Sequence, residues 1–189
     1  TVSVVNNERL ETFHVYDSRG LLRFVLSPEA SYQLGNSIDE GILQRLAYRY
    51  NYDCFGHLIE KRLPGCDPIY MVYDKRDRLV MSQDGIQRSE NINKWSYSLY
   101  DNFNRVIESG EVISSVAVHS TLLSLAANST NFLPTGERTP LQYTLYDSYI
   151  ASSDVPVLAF QSIPGYSNDY HKFVTGLVTS MKTRILGTN

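Results

Sequence analysis

Cys54 and His57 stand three positions apart, and a thiol beside an imidazole is the only local nucleophile–base pairing in the sequence. Such a pair needs burial and a third group to orient the base, and Cys-Phe-Gly-His reads as an exposed turn that offers neither. His14, His57, His119 and His171 are scattered, without the His-x-x-x-His or Cys-x-x-Cys spacing of a metal site. No Gly-x-Ser-x-Gly elbow, phosphate-binding loop or dinucleotide fingerprint occurs. Two repeated patterns remain. Asp17, Asp53, Asp74 and Asp101 recur in one local context and could line up as a carboxylate ladder for Ca²⁺, a cation that favours several oxygen ligands. Tyr48, Tyr50 and Tyr52 alternate along one strand face and could stack on sugar rings. A structural role is the simpler account of both: an Asp that caps each turn, and tyrosines whose cross-strand packing holds register. The expectation is a chain that is not an enzyme, with no catalytic residue, no metal and no cofactor.

Those aspartates sit inside a repeated unit. Tyr-Asp occurs at Tyr16-Asp17, Tyr52-Asp53, Tyr73-Asp74, Tyr100-Asp101 and Tyr146-Asp147. Three residues after the Asp stand Gly20, Gly56, Asp77 and Asn104, the residue types that most readily take a left-handed backbone. An apolar stretch then restarts at Leu21-Leu22, Leu58, Leu79 and Val106. Before each Asp the chain alternates as a strand does: Phe13 and Val15, Tyr70 and Val72, Tyr97 and Leu99, and Tyr143 and Leu145 share one face. The Asp carboxylate can accept from a backbone N–H two residues on, and a residue of positive φ closes a bulged hairpin. Each copy therefore reads as strand, tight turn, strand. In the fifth copy Ile150 holds the turn position, where a β-branched residue resists positive φ, so a longer or distorted connection is expected there.

The stretches Tyr52-Asp-Cys-Phe-Gly-His-Leu-Ile-Glu-Lys-Arg-Leu-Pro-Gly65 and Tyr70-Met-Val-Tyr-Asp-Lys-Arg-Asp-Arg-Leu-Val80 resemble Rhs/YD repeats. Those repeats are known from large bacterial surface and secreted proteins, insecticidal toxin-complex shells and teneurins. Leu63-Pro-Gly65, Lys94-Trp95, Ser162-Ile-Pro-Gly-Tyr166 and Lys182-Thr-Arg-Ile-Leu-Gly-Thr-Asn189 strengthen the resemblance to the long bacterial cell-surface members, from about Phe13 to Asn189. It implies hairpins joined edge to edge in a spiralling sheet that can close into a shell, some with a C-terminal toxin inside. Self-cleaving members use an Asp-Pro-Gly-Leu-type motif. Here Ile69-Tyr70 follow Asp67-Pro68, so self-processing does not carry over.

Composition agrees with an ordinary globular chain: 42% hydrophobic, 20% charged and 189 residues, one domain in length. Fourteen tyrosines against seven phenylalanines suit a sheet packed on one side and wet on the other. A net charge of −3 without a Lys/Arg cluster argues against nucleic acid. No apolar run approaches the ~20 residues of a membrane-spanning helix, and Thr1–Asn7 lacks the features of a signal peptide. A start at Thr1 rather than at a methionine suggests a piece of a longer protein. Cys54 and Cys66, about seven strand residues apart, are expected as free thiols, since ~20 Å of strand exceeds the ~7 Å reach of a disulfide.

Along the chain, residues 2 to 5 and 12 to 26 read as strands. Ser27-Pro28-Glu29 opens a short helix at about 28 to 34, stopped by Gly35. Ile38–Leu46 reads as a second helical turn or as irregular. Residues 47 to 108 carry three hairpins with polar tips near 83 to 93. An amphipathic helix within 115 to 127 and a loop at 128 to 140 form an insertion at about 111 to 140. Two or three strands around Pro164-Gly165 close the chain. The predicted fold is mainly β: successive antiparallel β-hairpins forming a curved extended sheet, with one or two short inserted helices, as a single domain over 1 to 189. The function expected is a structural segment of a surface or secreted protein, its partners the neighbouring repeats. The isolated chain should pair edge to edge, because unpaired strand edges invite association. The alternative is a module that binds a glycan or surface protein through Tyr48, Tyr50 and Tyr52.

Overall fold

The computed structural model describes residues 2–5, 8–89, 93–148 and 174–185, with side chains from Leu10 onward. The predicted Pro164-Gly165 turn lies outside them. Strands β1 (Val2–Val5) and β2 (Glu8–Glu11) form a separate two-stranded sheet in which Val2 opposes Glu11. Among the described residues, everything else in strand conformation joins one open ten-stranded antiparallel sheet. Its strands are β3 (Phe13–Tyr16), β4 (Leu22–Leu26), β5 (Ala47–Tyr52), β6 (Leu58–Arg62), β7 (Ile69–Tyr73), β8 (Leu79–Gln83), β9 (Lys94–Tyr100), β10 (Val106–Ser114), β11 (Gly136–Tyr146) and β12 (Val178–Thr183). They lie side by side in strict chain order, with β3 and β12 as the two edges. The hairpin reading of the sequence holds through the whole sheet. Strand β2 lies at residues for which the sequence predicted no element, between the strands read at 2 to 5 and 12 to 26.

The Tyr-Asp turns all close hairpins at one end of the sheet, so the connections between hairpins fall at the other. Those connections carry the helices. Helix α1 (Pro28–Leu34) begins where Ser27 Oγ accepts the Ala30 N–H at 3.1 Å and ends at Gly35, with φ +53°. Helix α2 (Glu40–Leu46) is capped by Asp39, which accepts the Ile42 N–H at 3.0 Å. Helix α3 (Gly85–Ser89) replaces the expected polar tip. Asp84 accepts from the Gln87 N–H at 2.8 Å and the Gln87 amide oxygen accepts from the Asp84 N–H at 3.0 Å, a reciprocal cap written in the sequence as Asp-x-x-Gln. The inserted helix α4 is His119–Ala127, and the flanking residues 111–114 and 136–140, expected in the insertion, extend β10 and β11 instead.

Helix α4 covers the middle of one sheet face. Leu122 and Ala126, one helical turn apart, are buried against Val72, Val80, Met81, Trp95, Tyr97 and Val112. His119 stacks on Tyr70 with ring centres 4.5 Å apart, and its Nε2 lies 3.1 Å from the Met71 carbonyl. Burial pushes the His119 imidazole below its ordinary pKa. Tyr97 donates to Glu108 Oε1 at 2.5 Å; burial and that bond push its phenol well above its usual range. The loop after α4 returns to the turn end, where the Ser129 carbonyl accepts the Lys75 N–H at 3.0 Å.

Candidate functional site

The four complete Tyr-Asp turns are copies in atomic detail. In each, the Asp carbonyl accepts the N–H of the residue three on (Gly20, Gly56, Asp77, Asn104), at 3.0 to 3.3 Å. The Asp N–H donates to the carbonyl four on (Leu21, His57, Arg78, Arg105), at 2.9 to 3.0 Å. One carboxylate oxygen then accepts two further N–H groups, from the second and fourth residues after the Asp, at 2.8 to 3.1 Å. Gly20, Gly56, Asp77 and Asn104 have φ of +78°, +93°, +61° and +63°. This is the bulged hairpin that the residue types predict.

Gly56 has open space where a Cβ would sit, so a substitution there meets backbone strain and nothing else. Gly56→Val is expected to cost about 1–3 kcal/mol and Gly56→Asn far less, since the array itself uses Asn104 and Asp77 at that place. Thermal unfolding that ranks Val no worse than Asn would contradict the turn geometry.

The fifth copy is split. Asp147 donates to the Leu177 carbonyl at 3.1 Å and accepts from the Gly176 N–H at 2.5 Å. Gly176, with φ +82°, takes the place of Gly20, and Tyr146 opposes Val178 as Tyr16 opposes Leu22. The turn is finished by residues 29 and 30 positions beyond Asp147, and Ile150, where a longer connection was expected, lies outside the described residues. Gly176-Leu177-Val178 could have been matched to Gly20-Leu21-Leu22.

The second carboxylate oxygen and the residue four after the Asp build contacts that the sequence reading missed. His57 Nδ1 lies 2.9 Å from Asp53 Oδ2 while Nε2 lies 3.1 Å from Asp77 Oδ1 of the next turn. Arg78 donates through Nε and Nη2 to Asp74 Oδ2, at 2.9 and 2.6 Å. Its Nη1 reaches the Asp101 carbonyl and Asn104 Oδ1 of the following turn, at 3.3 and 3.2 Å. Arg105 donates to Asp101 Oδ2 at 2.6 Å and to both oxygens of Asp147, at 3.0 and 2.5 Å. In the first turn this position is Leu21, and Arg19 reaches across instead, to the carbonyls of Asp53 and Cys54 at 2.9 and 3.3 Å. Every turn is thus tied to the next by a basic or imidazole side chain.

The tyrosines complete the same device. His57 stacks on Tyr73 at 4.8 Å, Arg78 lies 4.8 Å over Tyr100, and Arg105 lies 4.3 Å over Tyr146. The Tyr100 and Tyr146 hydroxyls donate back to the carbonyls of Leu79 and Val106 at 2.7 and 3.2 Å, the same relative position in each preceding hairpin. Register between hairpins is invariant as well. The residue seven after one Asp opposes the residue three before the next Tyr: Phe24 and Arg49, Glu60 and Tyr70, Met81 and Tyr97, Glu108 and Tyr143.

Electrostatics follow from these bonds. The Asp17 carboxyl is held below its ordinary range chiefly by the Leu21 N–H. Burial pushes Asp53 and Asp101 up, and the bonds from His57 and Arg105 outweigh it, so both end low. Arg105 and the Gly176 N–H draw Asp147 down to about 2. Carboxyls lowered by folding stabilise the fold above the unfolded value of ~4 and lose that contribution as pH falls through their folded values. Thermal stability should therefore drop between about pH 4 and pH 2. A flat profile there would remove the ladder's electrostatic share.

The other singled-out residues have plainer surroundings. Both His57 nitrogens face carboxylates, so neither is turned to Cys54. Cys54 and Cys66 are exposed and free. Among the described residues no group of His, Cys, Asp and Glu could hold a metal ion. The turn carboxylates are occupied by backbone and side-chain donors. Asn51, Glu60 and Tyr70 oppose one another, so Tyr48, Tyr50 and Tyr52 line the sheet face away from α4, opposite Val25, Lys61 and Leu58. Burial, with Tyr48 and Tyr52 close by, pushes the Tyr50 phenol up.

No family model and no curated protein matches the chain. Among solved structures, a Photorhabdus luminescens Tc holotoxin pore is similar over 74% of this chain at 12% identity, with a TM-score of 0.46. A crystal structure of TcdB2-TccC3 is similar over 78% at 13% identity, with a TM-score of 0.48. This chain spans only 5% and 6% of the length of those two chains.

Proposed function

We propose that the chain is a non-enzymatic structural segment of a bacterial surface or secreted Rhs/YD-repeat protein, whose hairpins add to a sheet that builds a shell or stalk. The observation that carries this reading is the invariant register between hairpins, locked at every turn by a contact to the next. A chain whose units touch mainly their neighbours gains stability by propagation and can lengthen without a new design. Its chemical groups are spent on that: the carboxylates cap turns, and the cations bridge them. The mechanism is geometric, with each hairpin presenting the next with a strand edge, a ring and a carboxylate.

The reading is tested on the full-length protein taken from the organism that encodes this chain. Fractionation should place it at the cell surface or in the medium, and electron cryomicroscopy should show the sheet continuing through neighbouring hairpins. A cytosolic protein, or this segment standing alone with both edges bare, would overturn it. The row of Tyr48, Tyr50 and Tyr52 on the open face favours one competing outcome. Specific glycan-array hits abolished by Tyr50→Ala would reassign the segment to binding.

A further inference from the structure

His119 is the first residue of α4, and it fastens that end of the helix to the sheet. Its ring stacks on Tyr70 of β7 with centres 4.5 Å apart, the Trp95 ring of β9 is 6.0 Å away, and Nε2 lies 3.1 Å from the Met71 carbonyl. Val118, which precedes it, gives the helix no side-chain cap, so the partial positive charge of the helix start falls beside this ring. Arg88 of α3 adds a full one. Its guanidinium lies 4.5 Å over the same Tyr70 ring, held by bonds to the Pro68 and Gln83 carbonyls. Glu60 of β6, opposite Tyr70, is the countercharge that acts on the imidazole, and Asn51 Nδ2 already donates to its Oε2 at 2.8 Å. Helix α4 itself carries no other titratable side chain.

We infer that His119 is an acid-sensitive latch: the neutral imidazole holds α4 on the sheet, and its protonation loosens the helix together with the loop that follows it. A neutral ring whose Nε2 donates to the Met71 carbonyl stacks on Tyr70 with no charge to bury. A proton on Nδ1 sets a second cation against the helix start and beside Arg88. The Tyr70 ring attracts either cation, but it cannot relieve the repulsion between the two. Burial, foremost, and Arg88 hold the imidazole below its ordinary pKa, against the pull of the Met71 carbonyl and Glu60. The unfolded chain therefore takes up this proton first, near pH ~6.5. Docking is fully stable above that pH and weakens as pH falls below it. That window lies above the range of about pH 4 to pH 2 in which the turn carboxyls act. The effect reaches past α4, because the Ser129 carbonyl accepts the Lys75 N–H and the Thr130 carbonyl accepts from Arg78. Mild acid would slacken the third turn through that loop and open the cover over Val72, Met81 and Trp95.

The test uses the complete 189-residue chain. Hydrogen exchange, normalised to the intrinsic rate at each pH, should show protection at residues 119–127 and at the Lys75 amide falling about three- to tenfold from about pH 7.5 to about pH 5.5, while β10 and β11 keep theirs. His119→Phe keeps a ring against Tyr70 and takes no proton, so its α4 protection should stay level over that range. If the Phe variant melts early at the higher pH, His119→Gln, whose amide can still donate to the Met71 carbonyl, takes its place. An NMR titration of the wild-type histidines should give His119 a midpoint below ~6.5. Level α4 protection in wild type, an equal loss in the variant, or a His119 midpoint at or above ~6.5 would each overturn the latch.

Discussion

Arg78→Ala is expected to destabilise the chain by about 3–5 kcal/mol, the largest loss of any substitution in the ladder. The Asp74 side chain is 0% exposed and that of Arg78 7%. Two charges taken out of water are costly, and their attraction repays this only with full hydrogen bonding. Arg78 supplies that bonding: two bonds to Asp74, two to the next turn, and two more from Nη2 to the Thr130 carbonyl and Asn131 Oδ1 in the loop after α4, at 2.6 and 3.3 Å. Alanine leaves the Asp74 carboxylate buried with only its two backbone donors, and it frees both the neighbouring turn and the α4 loop. Arg78→Lys should recover a minority of the loss, because an ammonium cannot fork across partners on three segments. Arg105→Ala should cost much less, since its partners face solvent and water can replace it. Urea unfolding that shows Arg78→Ala and Arg105→Ala equal would mean that burial does not set the strength of a rung.

Trp95→Ala is expected to cost about 3–5 kcal/mol by a different route. Trp95 is the largest fully buried side chain, 1% exposed, and sits between the sheet and α4. Its loss opens a cavity under Leu122 and Ala126 and orphans the Asn93 side-chain oxygen, which accepts from the indole N–H at 2.9 Å. Asn93 also donates to the Ser114 and Val116 carbonyls, both at 2.8 Å, so the entry to α4 should loosen together with its docking. Trp95→Phe should fall between wild type and alanine. Far-ultraviolet circular dichroism with thermal melts separates these cases. Unchanged melting of Trp95→Ala would mean that α4 is not anchored through this core.

Much of this was legible in the residues because turn chemistry is local. An Asp followed three residues on by Gly, Asp or Asn specifies its own backbone, and all four complete copies follow it. The same locality explains Ser27-Pro28 and Gly35, which mark the ends of α1 where they were read. It also explains why α3 was legible but overlooked, since Asp84-x-x-Gln87 is a local signal set in a polar stretch. The role of His57, Arg78 and Arg105 was not legible from any single copy. Each residue makes part of its contacts with a turn about 20 or more residues away, and only the register of the folded sheet brings that turn beside it. Aligned copies would have shown His, Arg and Arg at one place, yet their partners depend on strand order. The partner that completes the fifth turn was not legible for a related reason, because Asp147 bonds to Gly176, 29 residues on, beyond the span of a local pattern.

Hydrogen exchange on Arg78→Ala, beside Arg76→Ala in the same turn, tests most directly the claim that hairpins are coupled turn to turn. The account predicts that Arg78→Ala lowers protection at its own turn, at Asp101–Arg105 of the next turn and at the 129–131 loop, while β5 and β6 keep theirs. Arg76→Ala should leave all of these unchanged. Loss confined to residues 74–78, or spread evenly over the sheet, would show hairpins that stand or fall without the ladder, and would contradict the account.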